Sequence, residues 1–359
     1  MKLIDRYIIK KFLGTFFYSI VLIISIVIVF DLSEKLDDFI EKKISMNQIL
    51  FEYYLNFAPY YANMFMFLFI FISVIFFTSK LAANSEIIAI LSSGVSFRRF
   101  LYPYFLSALI LAIFSFLLSS FVIPPANKVR IAFEDKYING TFYNESRDIH
   151  RQIDSNTYIY MQNYVTVSDV GYKFSWEKFD GDVMTEKLMS DYIQWDTIGQ
   201  TWRIFNYYIR YFNGPVTDSV VSGQKLDTML KIRPSDFKQR VTAIETLNAF
   251  QLEKYIREQK LRGTENIEAF LVEKYRRFSF PFATFILTLI GVTLSSKKVR
   301  GGIGFNIGIG IGISFSYILF MQISTQFAIG SSFPPLLAVW MPNFLFLIIG
   351  IVLYYKAPK

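Results

Sequence analysis

The side chains that most often perform catalysis are scarce in this chain of 359 residues. It contains one histidine, His150, and no cysteine. These counts exclude a multi-histidine metal centre, a thiolate metal site and a cysteine nucleophile. A serine nucleophile needs a positioned base and a group that orients that base. His150 lies in a polar stretch that is typical of a surface residue, and no pair of carboxylates stands out by its spacing. We therefore predict no catalytic site, no metal and no cofactor.

The sequence also lacks the glycine-rich loop with which ATPases hold phosphate. No G-x-x-x-x-G-K-[ST] motif occurs, and the glycine-rich segment 301–308 follows no strand. Gly304, Gly308, Gly312 and Ser316 recur every four residues and so share one helix face, where small side chains allow a second helix to approach closely. The pattern predicts helix packing and leaves open whether the second helix belongs to this chain or to a partner subunit.

The composition is that of a membrane protein. Hydrophobic residues make up 53% of the chain and charged residues 18%, against about 45–50% and about 25% in soluble domains. Apolar runs without charge, each about long enough to cross a bilayer as a helix, occur at residues 12–30, 57–79, 100–123, 278–296, 303–329 and 336–355. Ion-coupled transporters normally bury ionisable groups in their spans. Uphill transport by this chain would therefore need energy from another subunit.

The net charge of +8 indicates membrane orientation and not nucleic-acid binding, because the basic excess flanks the apolar runs. The positive-inside rule places both termini in the cytoplasm and the polar insert between the third and fourth spans outside it. Only Lys274, Arg276 and Arg277 oppose this orientation, and they do not reverse it.

The polar insert predicts an all-β domain. Residues 158–161 and 202–209 alternate apolar and polar side chains, and turn signals occur at 180–182, 198–200 and 213–215. Several short strands with regular breaks favour an antiparallel, jellyroll-like sandwich. Its aromatic residues either fill the core or line an interior that shields lipid. They are Tyr158, Tyr160, Trp195, Trp202, Phe205, Tyr207 and Tyr208.

The predicted organisation has four parts. Residues 1–123 hold the first three spans, and residues 124–242 form the β-domain. Residues 243–271 form an amphipathic connecting helix, whose apolar positions include Ile244, Leu247, Phe250 and Ile256 and which Gly263 closes. Residues 272–359 hold the last three spans. The fold class is thus a six-span α-helical membrane protein with a β-domain inserted between helices three and four.

The loop between the second and third spans predicts a short cytoplasmic helix at residues 84–94. Asn84 or Ser85 can cap its start, Glu86 suits the helix dipole and Gly94 suits its end, while Ser96 can cap the next helix. Its apolar residues are predicted to be exposed beside lipid headgroups: Ile87, Ile88, Ile90 and Leu91. The pattern alone favours an interfacial anchor. The alternative is a helix that inserts into a cytoplasmic partner, with Glu86 meeting a basic group there.

Residues 81–99, with Ser85-Glu86 and Ser92-Ser93-Gly94, resemble the LptF/LptG permease family of the lipopolysaccharide exporter. Further segments that resemble this family are Asp5-Arg6-Tyr7-Ile8, Lys274-Tyr275-Arg276-Arg277, Arg300-Gly301-Gly302, Pro334-Pro335-Leu336 and Trp340-Met341-Pro342-Asn343. The resemblance covers the membrane parts from end to end. The insert matches in length and strand pattern more than in motif.

The resemblance implies a multi-pass inner-membrane permease that pairs with a second, related permease, as a heterodimer, on a dimer of a cytoplasmic ATPase. The short helix would be the coupling helix, with ATPase contacts implied for Glu86, Ile87, Ile90, Leu91, Gly94 and Arg98. The first and fifth spans of both permeases would line the lipid cavity. Lipopolysaccharide would pass from that cavity through the periplasmic jellyroll to bridge proteins.

The lipid contacts that the resemblance implies lie on the first and fifth spans: Phe30, Lys35, Phe305, Gly308 and Gly312. One departure concerns the outer end of the first span, where family members often carry basic residues and this chain has Phe30-Asp31. Lys35 lies further on, between Glu34 and Asp38. It is as readily interpreted as a solvated lysine, because exposed ion pairs of this kind are common and nearly neutral.

Two other functions are compatible with parts of the sequence. A membrane scaffold that anchors a periplasmic lipid- or protein-binding domain needs neither an ATPase nor Glu86. An intramembrane enzyme needs polar catalytic groups at membrane depth, where the spans offer little beyond Ser, Thr, Asn and Tyr. The exporter permease is therefore our first hypothesis and the enzyme our last.

Overall fold

A computed structural model describes residues 3–138, 145–212, 218–237, 241–261, 267–298, 302–330 and 333–357. Six helices in these ranges are long and apolar enough to cross a membrane, and we number them as spans in chain order. They are Leu3–Glu41, Met46–Ala83, Phe97–Tyr137, Ile267–Ser295, Gly302–Gly330 and Pro335–Lys356. The six predicted spans are confirmed. The chain divides into a unit that holds the spans (Met1–Phe133, Glu245–Leu252 and Glu268–Lys359) and a second unit (Glu134–Ile244 and Glu253–Ile267).

The first three spans extend well beyond their uncharged runs. In the first, Asp31 and Lys35 form an i,i+4 ion pair of 2.8 Å, which supports the helix after its apolar segment ends. The second span opens with a π-helical segment at Ile49–Tyr54, and the third contains another at Leu118–Val122. Single π-helical turns inside longer helices are uncommon, and they shift the faces that the flanking residues present.

Polar side chains join the spans to one another inside the apolar core. The Asn306 amide donates to the Ser79 hydroxyl at 2.9 Å, which links the fifth span to the second. The Tyr317 hydroxyl donates to the Asn343 side chain at 2.8 Å, which links the fifth span to the sixth. The hydrophobic effect does not drive helices together in lipid, so hydrogen bonds and close packing hold them together. Each such hydrogen bond contributes about 0.6 kcal/mol on average.

The fifth span carries two stripes of small residues. Gly310 packs directly on Ile75 and Phe71 of the second span, and it lies on the same face as Asn306 and Ser314, both of which are buried. The stripe that the sequence singled out faces elsewhere. Within the described chain, nothing lies within 4 Å of a Cβ built on Gly304, Gly308 or Gly312, and Ser316 is exposed. Packing of this second stripe therefore remains a prediction, and its partner would have to come from outside the described chain.

The β-domain is one antiparallel sheet of seven strands, curved and barrel-like, and it confirms the prediction of a β-domain between the third and fourth spans. The strands are β1 (Glu145–Asp154), β2 (Thr157–Val165), β3 (Val170–Tyr172), β4 (Ser175–Asp180), β5 (Val183–Asp196), β6 (Thr201–Phe212) and β7 (Asp218–Thr228). Their order is β1-β2-β3-β5-β6-β7, and β4 pairs with β2 and β5. The turns at 180–182 and 198–200 are present, whereas 213–215 lies outside the described residues.

The predicted aromatic residues divide between the two faces of the sheet. Trp202 is fully buried and its indole N–H donates to the Ile232 carbonyl at 2.9 Å, while Trp195 and Tyr207 pack against the same core. Tyr158 and Tyr208, by contrast, are exposed. Strict alternation fails along β6 because Asn206 has a positive φ of 50°. Ile204 on one side of Asn206 and Tyr207 on the other both contact the core, so the inward-facing positions change parity at this residue.

The predicted connecting helix begins later than expected. A 3₁₀ segment occupies Val241–Thr246, and the helix itself is Ala249–Leu261. Asn248 and Gln251 cap its start reciprocally. The Asn248 side chain accepts the Gln251 backbone N–H at 2.9 Å, and the Gln251 side chain accepts the Asn248 backbone N–H at 3.1 Å. Ile244 and Ile256 are buried as predicted, but Phe250 is exposed, because it lies two residues before the buried Leu252 and so on nearly the opposite side of the helix. Gly263 lies outside the described residues.

The two stripes of the fifth span can be separated by one matched pair of substitutions. Gly310→Val forces a branched side chain against Ile75 and Phe71, and overpacking of this kind costs about 1–3 kcal/mol. Gly308→Val makes the same chemical change where the chain leaves space. We expect a clear fall in the thermal unfolding temperature of the purified chain for Gly310→Val and almost none for Gly308→Val. Equal losses would contradict this packing.

Candidate functional site: the loop helix and the lipid-facing spans

The loop between the second and third spans contains a helix at Glu86–Ser92, which we call the loop helix. Gly94 has a φ of 87°, so a glycine ends the helix as predicted. The Ser96 hydroxyl accepts the Arg99 backbone N–H at 3.3 Å and caps the third span, also as predicted. The start differs. Ser85 has a left-handed φ of 63° and makes no capping bond, while the Asn84 amide donates to the Glu86 carboxylate at 3.1 Å.

The loop helix has one buried and one open side. Ile87 is only 1% exposed, so the prediction that it faces lipid headgroups is wrong. It packs into the core formed by the first three spans. Ile88 is 59% exposed, whereas Ile90 and Leu91 are half-buried. The sequence could not identify the buried position, because four of the seven residues of this helix are isoleucine or leucine and they spread over a wide arc of its surface.

Glu86 and Arg98 present charge beside this open side. The Glu86 side chain is half-exposed and Arg98 is exposed. Among the ion pairs of the described residues, none involves either side chain. A carboxylate at the first turn of a helix is stabilised by the helix dipole and keeps most of its capacity to accept hydrogen bonds. The arrangement can therefore bind a basic group of a protein that docks here.

An ion pair that the sequence analysis missed lies next to the loop helix. The Arg99 guanidinium donates two hydrogen bonds to the Asp5 carboxylate, at 2.8 Å and 2.7 Å, and the Asp5 side chain is only 3% exposed. Two parallel charge-assisted bonds fix both distance and orientation. The pair thus joins the beginning of the first span to the beginning of the third. The only sign of this pair in the sequence is Asp5 itself, an acidic residue in a first turn that is otherwise apolar and basic.

The first span and the loop helix also share an apolar core. Ile8 and Phe12 are fully buried, and they belong to the same cluster as Ile87 of the loop helix. Tyr104 of the third span is buried with them, and its ring lies 6.2 Å from that of Phe12. The loop helix and the beginning of the first span therefore belong to one apolar core, which the second and third spans complete.

The first and fifth spans present most of their surface to the outside of the described chain. Only 17% of the most apolar window of the first span is buried, and only 22% in the fifth, against 61% in the second and 67% in the fourth. Phe30 and Phe305 are exposed on these spans, and Gly308 and Gly312 lie on the open stripe. Four of the five predicted lipid contacts therefore lie on open surface. Their role in lipid binding remains a prediction.

Lys35, the fifth predicted lipid contact, is held inside the protein. Its ammonium group pairs with Asp31 at 2.8 Å, donates to the Tyr53 hydroxyl and lies 4.8 Å from the centre of the Tyr53 ring. The carboxylate that neutralises it is Asp31, and not Glu34 or Asp38 as the alternative interpretation supposed. Because its charge is already balanced, Lys35 has less to offer a lipid phosphate than an unpaired lysine would have.

The groups considered for catalysis are dispersed. His150 is exposed on β1, with its ring 4.7 Å from that of Tyr160. The Tyr160 hydroxyl donates to Asp148 at 2.8 Å, and this hydrogen bond raises the pKa of Tyr160. In the described part of the chain, no group of three or more His, Asp or Glu side chains could hold a metal ion.

Comparison with known proteins agrees with the resemblance noted in the sequence. A family model described as "Lipopolysaccharide export system permease LptF/LptG" matches residues 6–356, nearly the whole chain. A search of curated proteins found no match.

Proposed function

The chain belongs to the LptF/LptG permease family, and we propose that it is one of two permease subunits of an ATP-driven exporter in the bacterial inner membrane. Family membership implies a role in lipopolysaccharide export. In the proposed cycle, the two permeases extract lipopolysaccharide from the membrane and pass it through the β-domain to periplasmic bridge proteins. Hydrolysis of ATP is assigned to a cytoplasmic ATPase dimer, since this chain carries no phosphate-binding loop.

The observation that best supports a second permease is the open surface of the first and fifth spans. Both spans are apolar, and the fifth presents a stripe of glycines against which nothing packs in the described chain. Small residues at a helix surface in lipid favour close contact with another helix. A related subunit facing these two spans would enclose an apolar cavity that suits acyl chains.

The proposed contact with the ATPase is the open side of the loop helix. Glu86 supplies the acidic group, Arg98 a basic one, and Ile90 and Leu91 the apolar surface, while Gly94 allows the sharp turn that follows. Ile87 is assigned a different task from the one first predicted. It points into the protein and transmits the motion of the loop helix to the core of the first three spans.

Transmission would reach the lipid cavity through the first span. The Asp5–Arg99 pair joins the beginning of the first span to the beginning of the third, and Ile8, Phe12 and Ile87 belong to one apolar core. Rigid-body movement of packed helices is a common way in which a displacement at one site reaches another. A shift imposed by the ATPase at the loop helix would then narrow the cavity that the first span lines.

Reversing the charge of Glu86 is the direct test of the ATPase contact. Glu86→Lys should abolish co-purification of the ATPase from native membranes, because like charges would meet at the interface. The second permease should still co-purify, since it contacts other spans. Glu41→Lys makes the same exchange on an exposed residue at the far end of the first span and should retain both partners. Retention of the ATPase by Glu86→Lys would favour the anchor interpretation of the loop helix and the scaffold function.

The orientation in the membrane can be measured on single-cysteine variants, because the natural chain has no cysteine. Ser222→Cys lies on β7 and should react with a membrane-impermeant maleimide once the outer membrane is permeabilised. Ser92→Cys, on the loop helix, should react only after the inner membrane is broken. Both side chains are exposed on the protein, so a difference in labelling would report the side of the membrane and not burial. Labelling in the reverse order would overturn the predicted topology.

A further inference from the structure

A cavity of about 380 Å³ lies inside the unit that holds the spans, and its lining comes from the second to fifth spans and the 3₁₀ segment. Its volume is within the range of about 300–1,000 Å³ that is typical of small-molecule sites. Because one chain forms it, the cavity is separate from the open surface of the first and fifth spans that we assign to the second permease.

The cavity is polar at one end and apolar at the other. Successive spans cross a membrane in opposite directions, so the polar residue comes first on the second and fourth spans and last on the fifth. Named from the polar end, these pairs are Tyr60 and Phe67 on the second span, Arg276 and Phe280 on the fourth, and Thr325 and Ile318 on the fifth. A molecule that fills the cavity therefore needs a polar head and an apolar part, as a membrane lipid has.

The charged groups that line the polar end balance one another. They are two arginines, Arg276 and Arg277, and two glutamates, Glu245 and Glu273. Glu273 pairs with Arg277 through one carboxylate oxygen and with Arg276 through the other, each at 3.0 Å. Bringing a net charge into a balanced and partly buried cluster is costly. The occupant that suits this end therefore has no net charge.

A hydrogen-bond acceptor at the polar end lacks a donor. Asn127 is fully buried, its Nδ2 donates to Glu245 at 3.3 Å, and its Oδ1 has no partner among the described residues. The reverse orientation of this amide would place Oδ1 against the Glu245 carboxylate, so Glu245 determines which atom is left over. Buried polar atoms nearly always have a partner. An occupant with N–H or O–H groups would supply the missing one.

The Glu245 carboxylate lies next to this amide and has no cation in contact. Its one hydrogen bond among the described residues comes from Asn127, and no ion pair of these residues includes it. Burial raises the pKa of Glu245, and repulsion from Glu273 raises it further. A cation in contact favours the charged form of a carboxylate and would offset both effects. Glu245 and Asn127 together therefore suit an ammonium group, which carries three donors.

Arg276 provides the matching contact for a negative group. A guanidinium has five N–H donors, and that of Arg276 makes one ion pair, with Glu273, while its side chain is 37% exposed. Arg277, by contrast, is almost fully buried and donates to Glu273 at 3.0 Å and to the Leu247 carbonyl at 2.8 Å. Arg277 thus has a structural role, whereas Arg276 keeps donors for the negative group of an occupant.

We propose that this cavity binds a zwitterionic phospholipid with a primary amine, such as phosphatidylethanolamine. Its ammonium group would contact Glu245 and Asn127, its phosphate Arg276, and its acyl chains Phe67 and Ile318. The molecule combines N–H donors, a phosphate and an apolar part without a net charge. A lipid with only hydroxyl groups would leave the Arg276 donors unused, and a choline lipid would bring no donor to Asn127. The site is additional to the proposed transport cycle and does not depend on it.

The test uses the purified, delipidated full-length chain in detergent, with dihexanoyl phosphatidylethanolamine and dihexanoyl phosphatidylcholine as probes. The two lipids share their chains, their phosphate and their net charge, but only the first has N–H donors. We expect saturable stabilisation against thermal unfolding by phosphatidylethanolamine. Its apparent affinity should be at least about tenfold higher than that of phosphatidylcholine, because only its ammonium group can form charge-assisted hydrogen bonds with Glu245.

Three variants separate the two ends of the headgroup. Glu245→Gln and Asn127→Leu should each remove most of the preference for phosphatidylethanolamine and leave the affinity for phosphatidylcholine near that of the wild type. Arg276→Gln should weaken both lipids by a similar factor, because both contain the phosphate. Glu258→Gln makes the same exchange as Glu245→Gln on an exposed residue of the connecting helix and should change neither affinity. The ratio of the two affinities is informative because general damage to the fold would lower both.

Equal affinities of the wild type for the two lipids, or no saturable stabilisation by phosphatidylethanolamine, would overturn the proposal. A preference that survives Glu245→Gln would also contradict it. Two further probes test the parts of the molecule: dihexanoyl glycerol lacks the phosphate and the amine, and O-phosphoethanolamine lacks the chains. If either probe bound as tightly as phosphatidylethanolamine, the proposed ligand would be wrong. If Asn127→Leu does not fold, Glu245→Gln decides. None of these results would alter the association with an ATPase.

Discussion

The ion pair between Arg99 and the buried Asp5 carboxylate constrains how the first three spans can be arranged. A carboxylate this deeply buried is tolerated only when a cation and good geometry compensate for its lost hydration, and the two bonds from Arg99 supply both. The pair joins residues 94 positions apart. It fixes the beginning of the first span against the beginning of the third, and the loop helix lies immediately before the latter. Ile87 of the loop helix is buried in the core that these spans share.

The lipid environment determines which of the other spans contact one another. Helices in lipid gain nothing from hiding apolar surface, so contact is decided by small residues and by polar side chains that find one another. The second span meets the fifth through Gly310 and the Asn306–Ser79 bond. The first and fifth spans keep wide open faces. Among the described residues, some spans are therefore closely packed, whereas the first and fifth are mostly exposed.

Composition and periodicity predicted the elements of this fold well. Six uncharged runs sufficed for six spans, and alternation with turn signals sufficed for the sheet, because both depend on local chain properties. Gly94 and Ser96 were predicted correctly for the same reason: their roles are set by their own backbone positions. The family motifs were likewise visible, and the match to residues 6–356 agrees with them.

The features that escaped prediction depend on residues distant in sequence or on one irregular backbone position. The Asp5–Arg99 pair and the contact of Gly310 with Ile75 require the helices to be assembled first. The fifth span has two stripes of small residues, offset by two positions, and the sequence makes both look suited to packing. Only the assembled fold shows that the second span contacts the stripe of Gly310. Alternation along β6 changes at Asn206, and a 3₁₀ segment occupies Val241–Thr246, where the sequence predicted the start of the connecting helix. No periodicity anticipates a break of this kind.

The proposed coupling requires the Asp5–Arg99 pair to transmit motion of the loop helix to the first span. The most direct measurement is lipopolysaccharide released per ATP hydrolysed by the reconstituted complex, for Asp5→Arg, Arg99→Asp and the exchanged pair. We expect each single variant to bind the ATPase and hydrolyse ATP but to release several-fold less lipid per ATP, and the exchanged pair to recover much of the loss. A wild-type ratio in both single variants would contradict it.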